Sequence, residues 1–136
     1  MKIIFFVLII ITALTIVCYL GYRMKSARRF GESHPEAAKV IIKRIDSSGW
    51  INLLRVNGKK PVWNMEAAVQ YYYLLPGVNQ VRARYFETTD NRPEYSGAGH
   101  STVNEDIQDI ELEIERGREY VLSYDMSTKK FILIPQ

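Results

Sequence analysis

A chain of 136 residues, 47% hydrophobic and 24% charged, has length for one folded domain and not two, and its composition excludes a disordered chain. The net charge of +3 does not point to nucleic acid: five of the 18 basic residues, Lys2, Arg23, Lys25, Arg28 and Arg29, flank one apolar segment, and the other 13 share the rest of the chain with all 15 acidic residues. Beyond residue 29 the chain is mildly acidic, with no cluster of cations to neutralise phosphates.

The first predicted element is the uncharged run IIFFVLIIITALTIVCYLGY, residues 3–22, which has the length an α-helix needs to cross a bilayer's hydrocarbon. The end of the run, CYLGYR, carries no small-x-small cleavage pattern, so the expectation is an uncleaved anchor over residues 1–22. Tyr19 and Tyr22 suit the interfacial aromatic belt, with Arg23 and Lys25 placed to snorkel. Cys18 is the single cysteine and can form no intrachain disulfide; Val17 stands where a lipidation signal has a small residue, which favours an inert thiol inside the membrane. Residues 23–36, RMKSARRFGESHPE, read as a basic juxtamembrane linker broken by Gly31 and Pro35. Its cations Arg23, Lys25, Arg28 and Arg29 form a stop-transfer flank that also suits anionic lipid. Counted against Lys2 alone on the other side, they place the following domain in the cytoplasm.

Residues 37–136 show short apolar runs separated by turn residues, the pattern of an all-β domain. Strands are expected over residues 38–46, 50–57, 67–75 and 78–87, punctuated by Ser47-Ser48-Gly49, by Asn57-Gly58 and by Pro76-Gly77. In the last of these Val81, Ala83 and Tyr85 alternate with Gln80, Arg82 and Arg84, one face dry and the other wet. Residues 105–117 alternate Ile110, Leu112 and Ile114 with carboxylates, which favours a strand. A helix competes, because Ile107, Ile110 and Ile114 also share a helical face. Residues 118–125 and 130–135 complete a C-terminal hairpin. About seven strands at this spacing predict a small antiparallel β-sandwich over residues 37–136, behind one transmembrane helix.

No nucleophile, base and orienting group come together in the sequence. His34 lies in the linker and His100 in a polar stretch, and there is no nucleophile elbow, P-loop or dinucleotide fingerprint. The acids Asp109, Glu111, Glu113 and Glu115 sit two apart on a strand, too widely spread to share an ion, and suit a solvated face paired across the sheet with Arg82 and Arg84. No cofactor or metal is expected. Tyr71, Tyr72 and Tyr73 must divide between the two faces of their strand, and Trp50 and Trp63 flank the Asn57-Gly58 turn. Residues 88–104, TTDNRPEYSGAGHSTVN, read as a long polar loop, the segment least constrained by the fold, and Arg92, Tyr95 and His100 within it are the candidate partner contacts.

The stretches LLPGVNQVRARY, IELEIERGREYVLSYD and KKFILIP, together with the turn VNGK at residues 56–59, resemble the small β-domains of bacterial envelope proteins. These include PEGA-like modules and the periplasmic or lipoprotein β-sandwich domains with an "LPPG" hairpin. The resemblance covers residues 50–135 and rests on turns and core alternation. It departs at Asn79-Gln80, where many such sequences carry histidine, and in the insertion at residues 88–104. It implies an extracytoplasmic, non-enzymatic module, against the cytoplasmic side that the charge count gives. The expectation is thus a single-pass protein of the bacterial cytoplasmic membrane, acting as an interaction or accessory module of an envelope assembly with a protein partner. The alternatives are a small enzyme using His100, or a structural subunit acting through its transmembrane helix.

Overall fold

The computed structural model describes residues 1–43, 49–90 and 101–136. Helix α1, Lys2–Ser33, is followed by β1 Ala38–Ile42, β2 Gly49–Val56, β3 Val62–Glu66, β4 Val69–Leu74, β5 Gly77–Asp90, β6 Ser101–Ile114, β7 Glu119–Asp125 and β8 Lys130–Pro135. The strands form a five-stranded sheet, β3-β4-β1-β7-β8, facing a three-stranded sheet, β2-β5-β6. All pairings are antiparallel except β1 with β7. The expected β-dominated fold behind one apolar helix is therefore present, with eight strands among the described residues rather than seven.

The core lies between the two sheets. Val40, Tyr72, Leu74, Tyr120, Leu122 and Tyr124 enter it from the five-stranded sheet, and Ile51, Leu53, Val81, Ala83, Tyr85, Leu112 and Ile114 from the other. These positions follow the period of two that sends alternate side chains to opposite faces. Residues 105–114 are strand throughout, because Leu112 is buried with Ile114, a position that a helical Ile107-Ile110-Ile114 face would have left outside.

Three tyrosines of the five-stranded sheet cross this core and hydrogen bond to the opposite sheet or its end. The ladder of β2 with β5 is interrupted by a bulge between Leu53 and Arg55, and the Leu53 N–H is donated to Tyr72 Oη at 3.2 Å. Tyr120 Oη accepts the Glu115 N–H at 2.9 Å just beyond β6, and Tyr124 Oη donates to Asp106 Oδ2 at 2.5 Å. The Tyr124 ring stacks on Tyr85 with centroids 4.1 Å apart.

Tight turns carry the chain from sheet to sheet. Gly77, at φ +108, and Gly117, at φ +65, hold left-handed conformations that side-chain-bearing residues resist. The Asn57-Gly58 turn closes with reciprocal bonds between Val56 and Lys59 of 2.9 and 3.0 Å, and Pro61 then leads into β3 on the other sheet. Asn79 is buried and ties two turns together. Its amide nitrogen donates to Leu75 O and Gly77 O, and its oxygen accepts from Asn57 Nδ2.

Three expectations need correcting. The segment 67–75 is not one strand, because Ala67 and Ala68 form the turn of a hairpin whose first arm, β3, carries no turn signal in the sequence. Both alanines adopt positive φ, 49° and 63°, where asparagine or glycine is the usual choice. The polar stretch 88–104 is not all loop, since β5 extends to Asp90 and β6 begins at Ser101, with Thr88 opposite Val103 and Asp90 opposite Ser101. Two-stranded backbone pairing needs no core beneath it, so apolar alternation gave no warning. The first strand ends at Ile42, with Lys43 already outside it, and residues 44–46 of the expected strand lie outside the described residues.

Two stability measurements follow. Replacing Tyr72 by Phe leaves a buried N–H at the bulge without its acceptor and should cost about 1–3 kcal/mol, seen as a lower thermal midpoint of the full chain in detergent. Replacing Ala67 and Ala68 by Asn and Gly should instead raise the midpoint, by about 4–8 °C for each kcal/mol of relieved strain.

Candidate functional site

Helix α1 has two parts with different surroundings. Its apolar side chains from Ile3 to Leu20 project outward on all sides with no sheet against them, and the helix is long and apolar enough to cross a membrane. The hydroxyls of Thr12 and Thr15, the run's two threonines, donate to Leu8 O and Ile11 O one turn back, so neither needs water. Cys18 is exposed on this part of the helix.

The second part corrects the expected linker. Residues 23–33 continue the helix without a break and lie against β3 and β4. Ala27 is 1% exposed, and the Phe30 ring lies 6.0 Å from that of Tyr73. Gly31 has a packing role here: a Cβ at that position would lie 2.8 Å from Tyr73 Oη and 2.9 Å from Tyr73 Cζ. Glycine costs the helix about 1 kcal/mol, and a side chain at this position would have to displace the Tyr73 phenol. Pro35 lies just beyond the helix end. It follows His34, whose φ of −126° and ψ of 73° are non-helical, and the helix ends at Ser33. The His34 ring stacks on Phe30 at 4.3 Å with Nδ1 3.1 Å from Phe30 O, so this histidine closes the helix.

The tyrosine run divides as strand geometry requires. Tyr72 enters the core, while Tyr71 and Tyr73 share the outer face in an edge contact of 5.4 Å. Tyr71 is covered there, its hydroxyl accepting from Asn64 Nδ2 and Lys39 Nζ standing 5.1 Å from its ring centroid. Burial, followed by the neighbouring Tyr71, pushes the Tyr73 phenol up to about 12.

The outer face of the three-stranded sheet lies on the opposite side of the sandwich from α1. Trp50, Phe86 and Glu105 stand side by side across β2, β5 and β6, with Arg84 and Ile107 in the next cross-strand row. The Arg84 guanidinium lies 4.7 Å over the Phe86 ring and its Nε is 3.1 Å from Glu105 Oε1. Trp50, Ile107 and Val103 are 41%, 49% and 55% exposed. This apolar and aromatic patch was missed in the sequence because its residues lie on the strand face that reads as wet. Its one signal is Trp50 and Phe86 at positions where Asn52 and Arg84 set the polar register.

Arg92, Tyr95 and His100 lie outside the described residues. The acidic series is arranged as the sequence suggests: Asp109 makes two bonds to Arg82, of 2.9 and 3.0 Å, Glu111 accepts from Gln80, and Glu115 pairs with Arg118. The Arg82 guanidinium holds the Asp109 carboxyl below the usual carboxylate range. Among the described residues no three His, Cys, Asp or Glu side chains are grouped to hold a metal ion. Comparison of the chain with protein-family models, curated proteins and solved structures gives no match.

The phenols supply a pH test. Tyr72, Tyr73 and Tyr124 are all raised above the ordinary value of 10.0, with burial as the leading cause in each. A neutral form favoured by folding contributes stability that is fully present below the unfolded value and lost as pH rises through the folded one. The thermal midpoint should therefore hold up to about pH 10 and fall as pH rises through 12, and Tyr73→Phe should make the fall shallower. Phenolate absorbance of the folded protein should show a late-titrating class that vanishes on unfolding.

Proposed function

We propose that the protein is a non-enzymatic interaction module, tethered by a single membrane-crossing helix in a bacterial cytoplasmic membrane, that presents the outer face of its three-stranded sheet to a protein partner of an envelope assembly. The observation that carries this reading is the continuity of α1. The helix passes from its apolar run into its packing against β3 and β4 with no break between them, so the sandwich is mounted on the helix at a fixed angle rather than hung from a loop. At 1.5 Å per residue, about 20 residues cover roughly 30 Å of hydrocarbon and the remaining turns hold the domain at the membrane surface.

The composition of this outer face supports a protein as the partner. Tryptophan, arginine and phenylalanine, with exposed Ile107 and Val103 beside them, form an apolar centre, and the ion pairs of Arg82 with Asp109 and Arg84 with Glu105 supply polar surroundings. The sequence resemblance to PEGA-like envelope domains points to the same kind of role and would place the domain outside the cytoplasm. From the sequence, Arg92, Tyr95 and His100 are further proposed contacts.

Two outcomes test the reading. The protein should stay in the membrane fraction through alkaline carbonate washing; recovery of a soluble form lacking the first 20 or so residues would refute the tether. Crosslinking from intact membranes should recover a protein partner, and Trp50→Ala with Ile107→Ala should weaken that recovery severalfold, each truncation at a hot spot costing more than about 1 kcal/mol. As exposed positions they should shift the thermal midpoint little. A double variant that is stable and recovers the partner normally would place the contact elsewhere.

A further inference from the structure

Where α1 leaves its apolar run, a groove of about 230 Å³ opens between the helix and the segment leading from the Asn57-Gly58 turn into β3. Arg23, Ser26 and Tyr22 line it from the helix, and Lys60, Val62 and Trp63 from the sheet. We infer that this groove binds the anionic headgroup of a membrane phospholipid, with Arg23 and Lys60 on the phosphate; the inference rests on the proposed membrane crossing and names the lipid class met at its edge.

Four observations carry it. The lining contains two cations and no carboxylate, and neither Arg23 nor Lys60 has a carboxylate partner among the described residues. Fold contacts bring these like charges to one groove from elements 37 positions apart in the chain, an arrangement that an anion between them relieves. Arg23 is also pre-positioned: its Nε donates to Tyr19 Oη at 3.0 Å and its guanidinium stands 5.4 Å from the Tyr19 ring, which leaves its terminal nitrogens to face a ligand.

Depth is the third observation. The last residue of the apolar run, Tyr22, is itself part of the lining, so a helix that crosses the bilayer sets the groove at headgroup level. The fourth is the character of the walls. Tyr22 and Trp63 supply the amphipathic rings of an interfacial belt, Ala27, Pro61 and Val62 supply apolar surface for the start of an acyl chain, and Ser26 offers a hydroxyl. The volume falls below the roughly 300–1,000 Å³ of pockets that enclose a whole drug-sized ligand, as suits a site that holds one headgroup while the tails stay in the bilayer.

The test uses the full chain in a neutral detergent, titrated with short-chain phosphatidylglycerol, with phosphatidylcholine of the same tails and with inorganic phosphate. Binding is read by the thermal midpoint and by Trp63 emission in a Trp50→Phe background. Phosphatidylglycerol should raise the midpoint and shift the Trp63 emission, while phosphatidylcholine and inorganic phosphate at equal concentration should do neither. Arg23→Gln with Lys60→Gln should weaken the response about tenfold or more, and Lys129→Gln with Lys130→Gln, which removes the same charge on the β7-β8 hairpin away from the groove, should leave it intact. Equal responses to the two lipids, equal losses in the two double variants, or a phosphate response matching that of phosphatidylglycerol would each overturn the assignment. Both double variants should survive carbonate washing, so loss of the lipid site is distinguishable from loss of the tether.

Discussion

The contact of Gly31 with the Tyr73 phenol decides how the two halves of this protein relate. A transmembrane helix followed by a flexible linker would leave the sandwich free to rotate. A helix that keeps its hydrogen bonding through residues 23–33 and lays Ala27, Phe30 and Gly31 against the sheet fixes one face toward the helix and the opposite face away from it. The energetic logic is that of close packing: an absent Cβ lets helix and phenol meet, and the burial of Ala27 and the Phe30 and Tyr73 rings offsets the helical cost of glycine. The groove at Arg23 and Lys60 exists only because this docking brings the Asn57-Gly58 turn to the helix.

The sheets that receive the helix are held by more than apolar alternation. Tyr72, Tyr120 and Tyr124 each bury a ring and deliver a hydroxyl to the far side of the core, where two of them accept from backbone N–H groups, that of Leu53 at the bulge and that of Glu115 beyond β6. These bonds specify the relative position of the sheets, because a slide of either would leave a buried polar group unpaired. Asn79 does the same for the turns at one end of the sandwich, and the close pairing of its amide with Leu75, Gly77 and Asn57 accounts for a polar side chain in a buried position.

Much of this was legible in the sequence, for physical reasons that also explain what was not. The apolar run of residues 3–22 and the alternation of residues 78–87 and 110–114 are one-dimensional signals of environment, and both survive in the structure. The helical course of residues 23–33 was hidden because Gly31 and Pro35 read locally as breakers, whereas one serves a tertiary contact and the other lies beyond the end. Strand β3 was hidden because its hairpin turns on Ala67-Ala68, residues that no turn preference would select. The Trp50-Phe86 patch was hidden because adjacency across three strands depends on register, which short-range patterns do not contain.

The fixed mounting of the sandwich on its helix can be measured as a distance distribution between the two. Spin labels placed at Arg29→Cys on the helix and Lys130→Cys on the far hairpin, in a Cys18→Ser background in lipid nanodiscs, should give one narrow peak in double electron–electron resonance. Gly31→Leu, which forces a side chain against Tyr73, should broaden it while the sandwich stays folded. A broad distribution in the protein with Gly31 intact would contradict a fixed mounting.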